Sequence, residues 1–537
     1  MSVDDCPTVE ASSVFDMLGD GGEIAFIDVR EAGQFGLAHP FHAVSVPYSR
    51  LELEIGRLAP RKSVRMVLTD QGFGVAERAF RRLTDMGYGD VRVLNGGVEA
   101  WSLAGYSLFE GVHVPSKAFG ELIFEKNRTP MIAAEDVAAG MKPGGDMVLI
   151  DIRPFEEFNR QSIPGAINCP GVELVCRIRD LAPDSSTHVV VNCAGRTRGI
   201  IAAQSLIDAG LPNPLAALRD GTMGWALAGF PLESGKKNRF AERSPAAGAW
   251  ATEAISKMVD KFNIPLIDGA MLSQWRVESD RRTLFVLDVR DVNEFNEGHL
   301  SDALSAPGGQ LIQATDRWIG VLGARVVLVD DDGARATMTT HFLRQMGIDA
   351  YVFPGGIKDH KSVERTCSPS ESVISQYFEM IDAGDLNKLL DLDRGIFVVD
   401  VGSSMAFRKS HIPGSVWASR IHLLDTLPGR PEHSHLVLTS EDGSLAQLAA
   451  QDVSEASAVK VSILIGGNEA WKNKGFSMES SEHVPPDADC IDYLFWAHDR
   501  HKGNRDSMNT YLNWEHSLPA RVSESGESRF RITPVKS

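Results

Sequence analysis

The sequence predicts an α/β protein built as four tandem domains, each a small, mostly parallel sheet flanked by helices, followed by a helical C-terminal tail. Three observations carry this. A unit opening on a short apolar strand that ends in Asp recurs four times, at Asp28, Asp151, Asp288 and Asp400. Inside each unit strand-like runs alternate with helical patterns, the order that produces parallel sheets covered by helices. At roughly 150 residues per domain, 537 residues make three to four domains rather than one.

The elements follow in the same order in each copy. The first strand (AFIDVR, VLIDIR, LFVLDVR, FVVDVG) leads into a short helical stretch containing Phe and then a turn: QFGLAHPFHA, EFNRQSIPGA, EFNEGHLSDA and AFRKSHIPGS. A second apolar strand (VRMVLTD, HVVVNC, RVVLVD, HLVLTS) precedes a loop, and in the first three copies RRLTDMGY, QSLIDAGL and HFLRQMGI mark an amphipathic helix ending near Gly. After a third strand, a glycine turn closes the unit: LNGGVEAW, LRDGTMGW, FPGG and IGGNEAW. These glycines are expected to need positive φ. The predicted domains are 1–112, 125–236, 262–368 and 370–482, with a tail over 483–537 whose aromatic-rich helices should dock on a domain or a second subunit. The segment from about 236 to 262, rich in small and polar residues, reads as a hinge between two pairs of repeats.

Composition narrows the function classes. Hydrophobic residues at 43% and charged residues at 23% fit an ordinary folded protein, and a net charge of −18 repels nucleic acid and anionic lipid, excluding both as general partners. Six scattered cysteines (Cys6, Cys169, Cys176, Cys193, Cys367, Cys490) form neither a disulfide framework nor a CxxC pair, so reduced thiols are expected. No metal motif is found around the histidines, His299 and His411 included. The start, MSVDDCPTVEASS, lacks the basic and apolar regions of an export signal, and no apolar run approaches membrane-spanning length, which makes the cytoplasm the expected setting.

In parallel sheets ligands bind beyond the carboxyl ends of the strands, so chemistry is sought in the loop after the second strand. Anchoring on the helix that follows puts Asp70, Cys193 and Asp330 in equivalent places, and the strand HLVLTS adds Ser440. Among these the second copy alone offers a strong nucleophile. Cys193-Ala194-Gly195-Arg196-Thr197-Arg198, with Gly199 following, lies between a valine strand and a helix. A helix N-terminus, the loop amides and two arginines all favour a thiolate, so a lowered thiol pKa is expected. Asp151 and Arg153 read as structural support, because two copies without the cysteine carry the same pair. Cys169 and Cys176 read as buried structural thiols. Acidic side chains at the other loops should repel an anionic substrate, leaving those copies to cover the active domain, recognise an acceptor or form a homo-oligomer.

These residues resemble the rhodanese-like sulfurtransferases over nearly all of 1–482: the Asp-x-Arg opening (Asp28/Arg30, Asp151/Arg153, Asp288/Arg290), the Glu-Phe helix, the turns Ile163-Pro164-Gly165-Ala166 and His411-Ile412-Pro413-Gly414, and the six-residue loop from Cys193. Tandem members pair an inactive first domain with an active second one, as copies one and two would. Related phosphatases and arsenate reductases have five residues between Cys and Arg; four separate Cys193 from Arg198, which argues against that chemistry. The resemblance implies a cofactor-free enzyme in which Cys193 takes sulfane sulfur from a small anionic donor, with Ala194 to Gly199 binding the substrate and Arg196 and Arg198 neutralising departing sulfite. The persulfide then passes to a thiol or cyanide. Two arginines suit the compact dianion thiosulfate. The rival reading is a non-enzymatic persulfide carrier, sensor or interaction scaffold.

Overall fold

The computed structural model describes residues 6–72, 74–141, 145–357, 378–392, 395–427 and 435–533. Cys367, the junction expected at 368–370 and the two chain ends lie outside the described residues.

In the second repeat the strands run, side by side, Met131–Ile132, Leu215–Leu218, His188–Asn192, Met147–Asp151 and Ile167–Asn168, and every pairing is parallel. Val189, Val190 and Val191 sit in the central strand with helices over both faces. This is why the strand reads as an unbroken apolar run rather than an alternating one. Ile150, Leu174, Ile178 and Leu206 fill one face; Leu149, Phe158, Ile163 and Trp225 fill the other. The first and fourth repeats have the same five-strand order, and the third has four strands, Leu304–Ser305, Leu284–Asp288, Arg325–Val329 and Asp349–Phe353. There Leu266 makes only an isolated bridge to Val352, on the edge where the other sheets carry a fifth strand.

The repeats do not pair as the sequence suggested. The first and fourth form one compact unit, and the second and third form another that also takes the chain from Trp496 onward. In the first unit the joint is a buried charge cluster. Arg420, 1% exposed, bonds both Glu52 oxygens (2.7 and 2.8 Å) and Asp452 (2.9 Å), while Arg82 Nη2 and the Tyr48 hydroxyl also donate to Asp452 (2.6 and 2.9 Å). Each charge there has a bonded opposite, which makes burial tolerable.

The expected hinge is instead a helix. Pro245–Phe262 starts on Ser244, whose hydroxyl accepts from Ala247 N–H, and buries Ala247, Ala251, Ala254, Ile255 and Met258 along one stripe. That stripe packs on helices Leu174–Leu181 and Ala334–Gln345, joining the second repeat to the third. Another helix, Val114–Asn127, lies mostly between the first and second expected domains and packs against both the loop helix Thr197–Asp208 and the C-terminal helix Arg505–Ser525. The tail therefore does dock on a domain, but it divides. Residues up to Phe495 belong with the first unit, where Ile491 O accepts from Gln34 N–H and Asp487 pairs with Arg408; the rest belongs with the second.

Candidate active site

Strand His188–Asn192 delivers Cys193 to the C-terminal edge of the sheet, and helix Thr197–Asp208 begins four residues later. The thiol is 2% exposed and accepts the Gly199 N–H at 3.3 Å, with the Gly195 N–H also directed to it. Behind the loop the glycine turn holds its carbonyls: Thr222 N–H donates to Cys193 O (2.8 Å) and Met223 N–H to Ala194 O (3.1 Å). Gly221, at φ 56°, sits so close to the Cys193 carbonyl that a Cβ would collide with it. Here the recurrent turn glycine has a definite task, since a left-handed backbone without a side chain is what lets the turn seat the loop. Gly96, Gly97, Gly355, Gly466 and Gly467 also have positive φ; Gly356 does not.

The same seat recurs in every copy. The N–H six residues on donates to the side chain each time: Ala76 to Asp70 (3.0 Å), Gly199 to Cys193, Ala336 to Asp330 (3.1 Å) and Ala446 to Ser440 (3.4 Å). The four side chains are thus spatial equivalents. Asp70 also takes Gly72 and Val75 N–H (2.6 and 2.9 Å), and Asp330 takes Gly333 and Arg335 N–H (2.5 and 2.8 Å). In these two copies the carboxylate itself fills the amide ring. An anionic ligand is excluded first by occupancy, a stronger reason than the long-range repulsion expected from sequence.

Models of the Rhodanese-like domain family match residues 10–104, 133–228, 272–362 and 382–474, well over half of the chain. The chain belongs to the rhodanese-like family. The crystal structure of a thiosulfate sulfurtransferase from Pseudomonas aeruginosa is similar over 98% of this chain and 99% of its own, at 39% identity and a TM-score of 0.90. A curated relative, the HTH-type transcriptional regulator Rv0324 of Mycobacterium tuberculosis (strain ATCC 25618 / H37Rv), is 36% identical over 96 residues, which is 18% of this chain and 41% of that protein. The family and the full-length neighbour support rhodanese-type sulfurtransferase chemistry.

Around the rhodanese loop, the two arginines differ. Arg198 makes a two-pronged bond to Glu157 (2.8 and 2.8 Å), and its charge is the strongest influence drawing the Cys193 pKa down. Arg196, 6% exposed, is turned to Glu121 (2.7 and 2.8 Å) and Asp220 (2.9 Å), so its guanidinium is already neutralised. Its geometry is that of a loop anchor, not of the sulfite partner expected from sequence. Thr197 donates to Glu515 (3.2 Å), and Gly195 lies under Met223 and Glu515, where any side chain would be crowded. Arg153 pairs with Asp151 (2.6 Å) and caps the Gln161 carbonyl (2.6 Å), fixing the entry loop. Among the buried thiols, Cys176 is raised to about 12 by burial, and it lines a different cavity with Glu173 and Arg243.

The lowered thiol pKa expected from the loop is not what results. Burial dominates and pushes Cys193 above its ordinary value, against the pull of Arg198 and the two amides. Burial also works against ionised Glu157, yet the Arg198 charge holds that carboxyl down at about 2. The thiol is not sealed in. Cys193 lines a cavity of about 310 Å3, whose other walls include Lys117, Arg500, Tyr511 and Glu515.

These last residues were missed by sequence reasoning, and all four come from outside the family segments. Lys117 and Glu121 ride on helix Val114–Asn127; Arg500, Tyr511 and Glu515 ride on the tail. A signal existed, since Glu121 and Glu515 are charged residues set among apolar neighbours in helical stretches, a pattern that marks paired burial.

Proposed function

We propose that this protein is a thiosulfate sulfurtransferase working through a persulfide on Cys193. The observation that carries the reading is the Cys193 sulfur, cradled by the Gly199 and Gly195 amides and facing a cavity rich in cationic side chains. In the first half reaction the thiol gives its proton to solvent and the sulfur lone pair attacks the outer sulfur of thiosulfate. The donor S–S bond breaks and its electron pair leaves with sulfite. In the second half, a thiol or cyanide attacks the outer persulfide sulfur, and the thiolate of Cys193 departs with the bonding pair.

The loop residues have separate roles in this reading. Gly195 and Gly199 supply amides to the sulfur charge as it develops. Ala194 and Thr197 shape the ring, Arg198 supplies positive potential, and Arg196, Asp151 and Arg153 keep the loop in place. The four-residue spacing to Arg198 supports a sulfur-sized ring over a phosphate-sized one. No metal or organic cofactor enters these steps. The first, third and fourth repeats act as scaffold, and a cytoplasmic setting fits the free thiols among the described residues, Cys6, Cys169, Cys176, Cys193 and Cys490.

Thiocyanate formation from thiosulfate and cyanide tests the proposal. The parent protein turns over and Cys193→Ser does not; intact mass after thiosulfate alone gains one sulfur on the parent. Loading once without turnover would favour the carrier reading instead.

A further inference from the structure

We propose that the C-terminal segment completes the donor site, with Arg500 and Lys117 receiving the sulfonate end of a thiosulfate-type donor. This rests on the sulfurtransferase reading and assigns the charge partner that the loop itself does not spare.

A tally of the cations around Cys193 that are not solvent-exposed points there; Arg160, on the same cavity wall, is exposed. Arg153 is held by Asp151, Arg196 by Glu121 and Asp220, and Arg198 by Glu157. Each carries a bonded carboxylate, so none offers an uncompensated charge to a dianion. Arg500 differs. Its guanidinium lies 3.7 Å over the Tyr511 ring, and its Nε and Nη1 are buried with no hydrogen-bond partner. No ion pair of Arg500 occurs among the described residues. Two buried guanidinium donors left idle on a half-buried side chain are costly, and the cost is removed when an anion with several acceptor oxygens arrives. Lys117, 8% exposed, stands on the same cavity wall; its ammonium is paired with Glu515 at 3.4 Å, so the uncompensated charge is that of Arg500 and Lys117 adds N–H donors beside it.

The chemistry requires a cation in such a place. Attack by the Cys193 sulfur and departure of sulfite occur on opposite sides of the transferred sulfur. The groups that serve the thiol, Gly195 and Gly199 N–H, therefore cannot serve the leaving group. A second set of donors across the cavity is needed, and Arg500 and Lys117 come from elements that lie outside the rhodanese domain itself. Donor recognition and the fold of the tail are coupled, because Tyr511, which carries the Arg500 guanidinium on its ring, sits on the same helix as Glu515, which holds Thr197 of the loop.

The test compares Arg500→Gln and Arg500→Lys in the full chain with two donors, thiosulfate and an uncharged alkyl persulfide. Arg500→Gln is expected to lower kcat/KM for thiosulfate about 10- to 100-fold, the worth of a charged hydrogen bond. The alkyl persulfide should lose less than about threefold on the same scale, and Arg500→Lys should recover part of the thiosulfate loss. A second measurement does not need turnover: calorimetric binding of sulfite to Cys193→Ser, which is expected to vanish when Arg500→Gln is added. Equal losses for the two donors, or thiosulfate kinetics like the parent's, would overturn the proposal while leaving the sulfurtransferase reading intact. If the parent makes no thiocyanate but Cys193→Ser binds sulfite through Arg500, the anion site stands and the sulfurtransferase reading falls.

Discussion

The Arg198–Glu157 pair tunes the ionisation of Cys193 against the dominant effect of burial, and removing its two halves should move the thiol in opposite directions. Arg198 is the strongest influence favouring the thiolate, but Glu157 is bonded to it at 2.8 Å and offsets part of its field. A single charge a few ångströms away at an effective dielectric near 20 is worth about 3 kcal/mol, and a bonded counter-charge leaves about half. Arg198→Gln should therefore raise the Cys193 pKa further, cutting the thiolate fraction at neutral pH about tenfold. Glu157→Gln should lower it and raise the thiolate fraction. The second variant also carries a stability signature. Glu157 is held at about 2 against an ordinary 4.5, which at 1.36 kcal/mol per unit is about 3 kcal/mol, or about 2 after allowance for its partial exposure. Because this carboxyl is depressed in the folded protein, the stabilisation is present above pH 4.5 and fades as pH falls through 2. Glu157→Gln thus loses stability at pH 7 and almost none at the acid end. The assay is the pH profile of iodoacetamide alkylation at Cys193, followed by peptide mass, alongside urea unfolding at pH 7 and at lower pH. Shifts of the same sign in both variants, or none in either, would refute the reasoning.

Gly221→Ala places a methyl against the Cys193 carbonyl at φ 56° and should cost at least about 2 kcal/mol in urea unfolding, with a loss of thiocyanate formation larger than that of any neighbouring Ala substitution. Arg196→Met strands buried Glu121 and should destabilise by about 3 kcal/mol; adding Glu121→Gln should restore much of the unfolding midpoint, which separates anchoring from substrate contact. Asp70→Ala removes the acceptor of three backbone amides and should cost about 2 kcal/mol, read as faster hydrogen exchange at Val75 and Ala76.

The fold of each repeat was legible because it is written locally. The Asp-ended strand, the valine run and the glycine turn each impose their own backbone, and the placing of Asp70, Cys193, Asp330 and Ser440 in equivalent positions agrees with the shared amide six residues on. What was not legible depends on side chains distant in sequence. Nothing near Arg420 announces that Glu52 lies against it, so the pairing of the first repeat with the fourth could not be read. The helix Pro245–Phe262 was hidden by its composition: Ala and Gly resemble a linker. Yet Ser244 as cap, Pro245 in the first turn, and small and apolar residues at helical spacing are start and face signals that outweigh the count of small residues. The partner of Arg196 was illegible for a related reason. Sequence proximity to Cys193 suggested a shared task, whereas Glu121, on a helix more than seventy residues earlier, claims Arg196.

The four loops also show how differently one amide ring can be filled. A ring of inward amides carries positive potential and favours an anion at its centre. Asp70 answers that demand with a carboxylate held by three amides, and Asp330 does the same, although burial raises its carboxyl to about 6. Ser440 answers with a neutral oxygen bonded to Gly443 and Ala446. In each of these the ring is satisfied from within. At Cys193 the occupant is a protonated thiol, a weak acceptor, so the amides of Gly195 and Gly199 are under-used in the resting protein and gain most when the sulfur becomes charged. On the sulfurtransferase reading proposed above, a raised thiol pKa is compatible with the chemistry. Stabilisation is withheld from the ground state and realised as negative charge gathers on sulfur, which is the condition under which binding groups accelerate a reaction.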